Sequence, residues 1–264
     1  WRDKVVIVTG ASSGLGRAIA GAFSGCGANV VISARGADAL NFAAEEMRQR
    51  GGSVLAVPCD VTDQQQVERL IAATVERFGR IDVLVNNAGR SMRREAIETT
   101  PEDFRELLEL NFIALVRCTR AAMPELLKQR GSVVNIGSLA GKAAARYVGA
   151  YPASKFAVTA YSQQLRLELG PKGLHALLVS PGPIARREPR AAPLHDTTNL
   201  PESAKKPGAG VKTRAIDPDW LARRIVRACE RREPELVVPS AARWLFALKQ
   251  LSPRLGDWLV RRFT

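Results

Sequence analysis

A short apolar run that leads directly into a glycine-rich turn and a helical pattern limits the possible folds of this chain most strongly. The run is Lys4 to Val8, the turn is Thr9-Gly10-Ala11-Ser12-Ser13-Gly14-Leu15-Gly16, and the helical pattern continues to Phe23. Glycines let a backbone approach a pyrophosphate closely, and a helix N-terminus adds oriented N–H groups with a partial positive charge. This order of elements predicts a dinucleotide site in a parallel α/β sheet; a glycine turn without a ligand is the alternative. The expected cofactor contacts in the turn are Gly10, Ser12, Ser13, Gly14, Leu15 and Gly16.

Apolar, strand-like runs then alternate with helical patterns along most of the chain. The further runs are Val30–Ser33, Val54–Val61, Ile81–Val85, Val133–Ile136, Ala176–Ser180 and Leu236–Val238. With 264 residues and 46% hydrophobic content the chain can bury one substantial core. The alternation predicts a single-domain Rossmann fold of the α/β class, a doubly wound parallel sheet of about seven strands with helices on both faces.

The residues after the second and third strands favour one cofactor over another. Ala34 occupies the position where NAD-binding folds usually place a carboxylate for the ribose hydroxyls, and Arg35 follows it. Without a carboxylate to repel a 2′-phosphate, and with a guanidinium able to pair with it, NADP is favoured over NAD. An ordinary surface arginine is the alternative. Asp60, at the end of the third run, could contact the adenine.

The stretch from Ser138 to Lys155 contains the candidate catalytic groups. Tyr151 and Lys155 lie one helical turn apart, with Pro152 in the first turn. A nearby ammonium is expected to lower the tyrosine pKa, so that the phenol exchanges protons with a ketone or alcohol. Ser138 follows an apolar strand and could hydrogen-bond the same substrate oxygen. A solvated Tyr–Lys pair and a simple capping serine are the alternatives.

Asn111 lies early in a helix expected over Leu107 to Lys128. A buried asparagine needs hydrogen-bond partners, so it could hold a water; an exposed polar residue is the alternative.

The net charge of +13 raises the question of nucleic acid. Residues 186–262 hold 17 basic and 9 acidic side chains, so this part contributes +8, without a known nucleic-acid motif. We expect a solvated basic surface and no nucleic-acid partner. Attraction to an acidic cofactor, an acyl carrier or an anionic membrane is the alternative.

Cysteine and histidine usage indicates a reducing compartment and no metal. Cys26, Cys59, Cys118 and Cys229 are widely spaced and are expected to be reduced core thiols of a cytoplasmic protein. A content of only two histidines argues against a transition-metal site. No apolar run approaches the length of a membrane span. The chain starts at Trp1, almost directly on a strand, so a longer native N-terminus with an anchor is conceivable.

Two C-terminal segments depart from the α/β pattern. Residues 185–211 are rich in Pro, Arg and Gly, too long for a plain connection, and are expected to form a substrate lid or to be disordered. Residues 240–264 are expected to form an amphipathic helical tail, with an apolar stripe of Trp244, Leu248, Leu251, Leu255, Trp258 and Leu259 flanked by basic residues. This stripe either packs on this subunit or a dimer mate, or contacts a membrane surface.

Taken together, these motifs resemble those of the short-chain dehydrogenase/reductase family, from Lys4 to about Val238. The residues that carry the resemblance are the glycine turn, Asn86-Asn87-Ala88-Gly89, Asn111, Ser138, Tyr151, Lys155 and Pro181-Gly182. Their order and spacing are highly specific. The sequence around Ser138 and Tyr151 is also similar to the branch of microsomal hydroxysteroid dehydrogenases, which does not assign a steroid substrate.

The resemblance implies a role for each of these residues. Tyr151 would be the general acid/base, Ser138 would hold the substrate oxygen, Lys155 would lower the tyrosine pKa and bind the nicotinamide ribose, and Asn111 would position a relay water. Cofactor contacts would come from Asp60, Val61, Asn87, Ala88, Gly89, Pro181, Gly182 and Ile184. Arg186 stands where the family usually has a threonine, so the way the protein closes over the cofactor could differ.

The implied activity is NADPH-dependent reduction of a carbonyl compound, or the reverse oxidation of a secondary alcohol, in a homodimer or homotetramer. Reduction of a 3-oxoacyl group on a carrier protein is the alternative within enzymes. A non-catalytic NADP-binding sensor or scaffold is the alternative of another class.

Overall fold

Seven parallel strands form the centre of the protein. The computed structural model describes residues 1–185, 200–205 and 214–263. The strands are β1 Val5–Thr9, β2 Asn29–Ala34, β3 Val54–Pro58, β4 Val83–Asn86, β5 Ser132–Ile136, β6 His175–Pro181 and β7 Glu235–Val238. They form one sheet in the order β3-β2-β1-β4-β5-β6-β7, with every pairing parallel. The prediction of a parallel sheet of about seven strands is confirmed.

Helices connect the strands and cover both faces of the sheet. They are α1 Gly14–Gly25, α2 Ala37–Gln49, α3 Gln64–Phe78, α4 Pro101–Leu108, α5 Ala114–Lys128, α6 Tyr151–Leu169, α7 Glu202–Lys205, α8 Pro218–Glu230, α9 Ala242–Leu251 and α10 Pro253–Phe263. One apolar cluster joins the sheet to α1, α2 and α8, and a second joins it to α3, α5 and α6. Side chains of a strand alternate between faces, so Val6 packs in the first cluster and Ile7 in the second. The doubly wound, single-domain Rossmann-like architecture is therefore as predicted.

The helix expected over 107–128 is longer and less regular than its apolar pattern indicates. It begins at Pro101, because Thr100 and Asp103 form a reciprocal capping box. Residues Glu109–Ile113 then form a π-helical turn before α5 continues the helix. Single π turns within α-helices occur often at functional sites. Asn111 lies in this turn and is 1% exposed.

A buried chain of polar side chains fixes α5 and α6 against the sheet. Asn86 Nδ2 donates to Thr119 Oγ1 and to Asn135 Oδ1, both at 2.9 Å. Asn135 Nδ2 in turn donates to Ser162 Oγ at 2.9 Å. Hydrogen bonds among buried groups are strong and directional, so this chain sets how α6 lies on strands β4 and β5.

The C-terminal tail consists of two helices, so the prediction of one continuous apolar stripe is wrong. Pro253 lacks an N–H donor and keeps Ser252 extended, at φ −146° and ψ 104°, which ends α9 at Leu251. Helix α10 then packs back on α9, where a Cβ on Gly256 would lie 2.5 Å from Lys249 Cγ. Glycine at that position allows the close crossing.

The cysteine prediction holds for three of the four residues. Cys59, Cys118 and Cys229 are buried free thiols, and burial raises the pKa of both Cys118 and Cys229 to about 12. Cys26 is instead exposed, because it lies at the C-terminal cap of α1.

The described residues contain no cluster of three His, Cys, Asp or Glu side chains arranged for a metal. In the same ranges, no helix combines the length and the apolar character needed to cross a membrane.

Candidate active site

The glycine turn lies where the strand order of the sheet reverses. Strand β1 pairs with β2 on one side and with β4 on the other, and helix α1 starts at Gly14, directly after the turn. Gly10 and Gly14 have φ values of +64° and +53°, in the left-handed region that favours glycine. A Cβ on Gly16 would lie only 2.2 Å from the Gly10 carbonyl oxygen. The turn therefore depends on the absence of side chains.

Asn87 braces this turn from the end of β4. Its Nδ2 donates to the carbonyl oxygens of Thr9 at 2.9 Å and Gly10 at 3.0 Å. Thr9 Oγ1 accepts from the backbone N–H groups of Asn87 and Ala88, at 3.0 and 3.1 Å. The family resemblance predicts a cofactor contact for Asn87, and these hydrogen bonds also give it a supporting role in the turn.

The N-terminal end of α1 fits a pyrophosphate. Ser13 is the N-cap and makes no side-chain cap bond to the first-turn N–H groups in this structure. Helix N–H groups of this kind bind phosphate oxygens. Gly14 is exposed, with nothing within 4 Å of the position that a Cβ would take, and Ser12 and Leu15 are half-buried beside it. These residues together fit a dinucleotide.

Arg35 and Asp60 lie together at the ends of β2 and β3. Asp60 Oδ1 accepts from the N–H of Thr62 at 2.9 Å and from its Oγ1 at 2.7 Å. These two bonds lower the pKa of Asp60, and the charge of Arg35 lowers it further. Arg35 is exposed, so its guanidinium is accessible from solvent at this edge. Val61, beside Asp60, is buried.

The structure brings the three predicted catalytic side chains together at the ends of β5 and α6. Helix α6 begins at Tyr151, and Lys155 lies one turn further on. Lys155 Nζ donates to Ile136 O at 2.8 Å and lies 5.8 Å from the Tyr151 ring centroid. The Ser138 hydroxyl lies near enough to the Tyr151 phenol to lower its pKa, and Ser138 Oγ accepts a hydrogen bond from Ala140 N at 3.1 Å.

The predicted lowering of the tyrosine pKa is wrong for this arrangement. Burial raises the pKa of Tyr151 above its ordinary value, because it penalises the phenolate. The Ser138 hydroxyl and the charge of Arg93 lower the pKa of Tyr151 and offset the effect of burial only in part. Lys155, which is 6% exposed, directs a donor to the Ile136 carbonyl. Its own pKa is lowered by burial to about 8.

Asn111 ties the loop after β4 to helix α6. Its Oδ1 accepts from Arg90 N at 2.9 Å, and its Nδ2 donates to Arg90 O at 2.9 Å and to Ser154 Oγ at 3.0 Å. A Cβ on Gly89 would lie 2.8 Å from Asn111 Oδ1 and 3.9 Å from Lys155 Nζ. Gly89 thus lies beside both predicted catalytic residues. Water positioning by Asn111 stays a prediction.

The segment after β6 follows the same edge of the sheet. Gly182 N donates to Val238 O at 2.8 Å, and Ile184 forms a parallel bridge with Ile216. Pro181 is buried at the end of β6. Arg186 and most of the predicted lid, residues 186–199 and 206–211, lie outside the described residues.

One residue of the site had no sequence signal. Arg93 lies in the loop between β4 and α4, is 8% exposed, and acts on Tyr151 through its charge. Arg90, Arg93 and Arg94 follow one another closely and are indistinguishable from surface charge in the sequence alone. Only the fold shows which of them is buried.

A glycine turn that fits a pyrophosphate and a Ser–Tyr–Lys cluster lie on one sheet edge. Together they define the class of protein, a nucleotide-dependent oxidoreductase of Rossmann type. The family model described as short chain dehydrogenase matches residues 4–192. The chain belongs to this short-chain dehydrogenase family, whose members use NAD(P)(H) on alcohol or carbonyl groups of small molecules and generally form oligomers.

Curated relatives agree with the family assignment. The chain is 32% identical over 266 residues to a dehydrogenase/reductase SDR family protein 7-like from Anopheles gambiae, covering 98% of this chain and 82% of that protein. It is 42% identical over 188 residues to L-fucose dehydrogenase from Oryctolagus cuniculus, covering 70% of this chain and 64% of that one. None of these names supports the hydroxysteroid branch, which stays a prediction.

Solved structures agree as well. A short-chain dehydrogenase from Streptomyces avermitilis superposes with a TM-score of 0.82 at 33% identity, over 97% of this chain and 95% of that chain. A variant of an actinorhodin polyketide ketoreductase, solved with NADPH, gives a TM-score of 0.77 at 29% identity, over 89% of this chain and 95% of that chain.

Proposed function

We propose that this protein is an NADPH-dependent carbonyl reductase that can also run in reverse as a secondary-alcohol dehydrogenase. The observation that carries the proposal is the meeting of Ser138, Tyr151 and Lys155 on the same sheet edge as the glycine turn. A protein that only binds the nucleotide does not need this cluster, which disfavours the sensor or scaffold alternative.

The cluster can handle the proton that accompanies hydride transfer. Reduced nicotinamide, when bound, supplies the hydride to the carbonyl carbon. Tyr151 gives its phenol proton to the carbonyl oxygen, and its raised pKa keeps the phenol protonated at neutral pH, the form required for donation. Ser138 orients the same oxygen through its hydroxyl. Lys155, with a pKa of about 8, is still mainly protonated at pH 7 and favours the phenolate left behind.

The remaining residues would hold the cofactor and a relay water. We assign pyrophosphate contacts to the glycine turn, adenine contacts to Asp60 and Val61, and the adenosine-ribose side to Asn87, Ala88 and Gly89. Pro181, Gly182 and Ile184 would lie near the nicotinamide, Lys155 would bind its ribose, and Asn111 would position the water. The segment 185–211 would close over the substrate as a lid.

Replacing Tyr151 with Phe tests the proposal directly. Turnover of ketones with NADPH should fall by roughly 10²–10⁴-fold, because the proton donor is lost while the ring is kept. NADPH affinity, measured by quenching of tryptophan fluorescence, should stay nearly unchanged. Tyr161→Phe in the same helix, where the ring packs on Phe112, is the matched control and should keep full activity. Full activity in Tyr151→Phe would overturn the assignment.

We infer a preference for NADP over NAD from Arg35. Its exposed guanidinium and the absence of a carboxylate at Ala34 suit a 2′-phosphate. A solved neighbour, a variant of an actinorhodin polyketide ketoreductase, contains NADPH. The same neighbour, together with the basic C-terminal part, favours as a second candidate the reduction of a 3-oxoacyl group on an acidic carrier. A far higher kcat/KM on the carrier-bound thioester than on a free ketone would select that candidate.

A homodimer or homotetramer in the cytoplasm is the assembly we propose. Phe104, Ile113, Phe156 and Leu167 are exposed large apolar residues on and between helices α4 to α6. This apolar surface would pair with a second copy.

We further propose that the α9–α10 pair contacts an anionic membrane surface. Trp244 is 77% exposed and Trp258 is 56% exposed, and Leu248, Leu251 and Leu255 are exposed with them. Residues 242–263 hold five basic and one acidic side chain, a net charge of +4 that complements anionic lipid.

Vesicle sedimentation of the whole chain tests this surface. Binding should require phosphatidylserine in the vesicles and should be lost in Trp244→Ser/Trp258→Ser. Trp220→Ser, which changes an exposed tryptophan on α8, is the control and should bind normally. If the double variant changes the oligomeric state but not sedimentation, the surface pairs with a second copy and the membrane proposal is wrong.

A further inference from the structure

Arg93 is a buried cation that joins the loop after β4 to residues 200–205. It is 8% exposed. Its Nε donates to Ala204 O at 3.0 Å, and its Nη1 donates to Met92 O at 2.8 Å. A guanidinium has several donors in a fixed plane, so it can hold two carbonyls in one geometry.

The loop of Arg93 is itself fixed to the segment that leads into Tyr151. Arg94 N donates to Tyr147 O at 3.2 Å, and Gly149 N donates to Arg94 O at 3.1 Å. Gly149 has φ +50°, and a Cβ there would lie 2.6 Å from Met92 Sδ. Met92 also packs in one apolar cluster with Tyr151. The position of the loop and the position of Tyr151 are therefore coupled.

The other partner of Arg93 lies in a short helix far along the chain. Ala204 belongs to α7, and the last carbonyls of any helix lack partners within that helix. Arg93 supplies the missing donor to the Ala204 carbonyl. Ala204 and Leu200 are both buried, so residues 200–205 pack against the domain at this point.

We infer that Arg93 is a positioning residue that fastens residues 200–205 to the loop supporting Tyr151 and keeps a fixed positive charge near the phenol. The effect of Arg93 on turnover rests on the proposed function, whereas the contacts and the charge of Arg93 do not. The charge of Arg93 favours the phenolate of Tyr151 against the effect of burial. Other charged groups around this loop include Lys155, the ion pairs of Arg94 with Asp103 and of Arg90 with Glu106, and Glu202 in α7.

Titration of Tyr151 without substrate tests the electrostatic part. The phenolate absorbance of each variant is compared with the same variant carrying Tyr151→Phe, which isolates one tyrosine of three. The midpoint should move to higher pH in Arg93→Met and stay near wild type in Arg93→Lys. Arg146→Met removes an exposed arginine near the same segment and should leave the midpoint unchanged. An unchanged midpoint in Arg93→Met would overturn the electrostatic role.

Amide hydrogen exchange tests the fastening. Protection of residues 200–205 should be lost in Arg93→Met and partly lost in Arg93→Lys, because an ammonium cannot reproduce the planar arrangement of donors. Unchanged protection in both variants would contradict the inference. If Arg93→Met does not fold, Arg93→Gln serves in both measurements.

Turnover then separates this inference from the proposed function. For alcohol oxidation the phenolate is the working form, so the alkaline rise in kcat should shift to higher pH in Arg93→Met but not in Arg93→Lys. Should Tyr151→Phe retain full activity, the proposed function fails, while the titration and exchange results still decide the role of Arg93.

Discussion

The two ends of the site are built by opposite means. At the nucleotide end the turn depends on the absence of side chains. Gly10 has a positive φ, and a Cβ on Gly16 would clash with the Gly10 carbonyl. At the catalytic end the site depends on buried groups that are present, with Lys155 on the Ile136 carbonyl and Asn111 on the Arg90 backbone.

This difference predicts which kind of change each end tolerates. Adding atoms should damage the nucleotide end, because its backbone atoms already lie in contact. Removing atoms should lower activity or stability at the catalytic end, where each polar group takes part in the reaction or hydrogen-bonds a buried partner. The three predictions below test each half of this contrast.

The largest effect is expected from removing the ammonium at the catalytic end. Lys155→Met should lower kcat by roughly 10²–10⁴-fold, because the charge beside the phenolate and the proposed contact with the ribose are lost. Stability should respond to pH in a defined direction. The folded pKa of about 8 lies below the ordinary 10.5, so between these values the unfolded chain binds more protons. Stability of the wild type therefore rises with pH in this window.

Urea unfolding of wild type and Lys155→Met at several pH values checks this. The free energy of unfolding of the wild type, relative to that of the variant, should increase between about pH 8 and 10.5, by roughly 3 kcal/mol at most. Lys172→Met, which removes an exposed ammonium, should show no such gain. If the difference in free energy of unfolding stays constant across this pH range, folding does not lower the pKa of Lys155.

A smaller effect is expected from adding one methyl group at the nucleotide end. In Gly16→Ala the new Cβ would lie 2.2 Å from Gly10 O and 2.5 Å from Asn87 Nδ2. The free energy of unfolding should fall by roughly 1–3 kcal/mol, and NADPH affinity should fall with it.

Gly21→Ala in the same helix is the matched control for this substitution. Nothing lies within 4 Å of a Cβ at Gly21. Alanine there should raise stability by about 0.5–1 kcal/mol, since glycine costs more entropy in a helix. Equal effects of the two substitutions on unfolding and on NADPH binding would remove the steric argument for the turn.

The sequence predicted the parts of the protein that rest on local patterns. The strands appear as apolar runs, and the glycine turn has few structural solutions once a strand precedes it and a helix follows. The Tyr151–Lys155 spacing likewise fixes a shared helical face. These features depend on residues close together in the chain, so the predicted sheet and the grouping of Ser138, Tyr151 and Lys155 agree with the structure.

Features that depend on distant contacts were missed or predicted wrongly. The raised pKa of Tyr151 results from burial by the assembled fold, which no i,i+4 spacing reports. Burial of Arg93 depends on residues 200–205, more than 100 positions away. Pro253 is a local signal for the break at Ser252, but the helical spacing of the apolar residues continues across it and predicts one stripe.

The smallest effect is expected from Arg35, a predicted cofactor contact at the nucleotide end that acts through its side chain. It is exposed, so solvent and salt weaken its pairing with a 2′-phosphate. Arg35→Ala should weaken NADPH binding about tenfold, or about 1.4 kcal/mol, and leave NADH binding unchanged. Fluorescence titration with both nucleotides measures this, with Arg50→Ala, an exposed arginine after α2, as control. Equal losses for NADPH and NADH would place Arg35 on the shared pyrophosphate, and the preference for NADP would then need another cause.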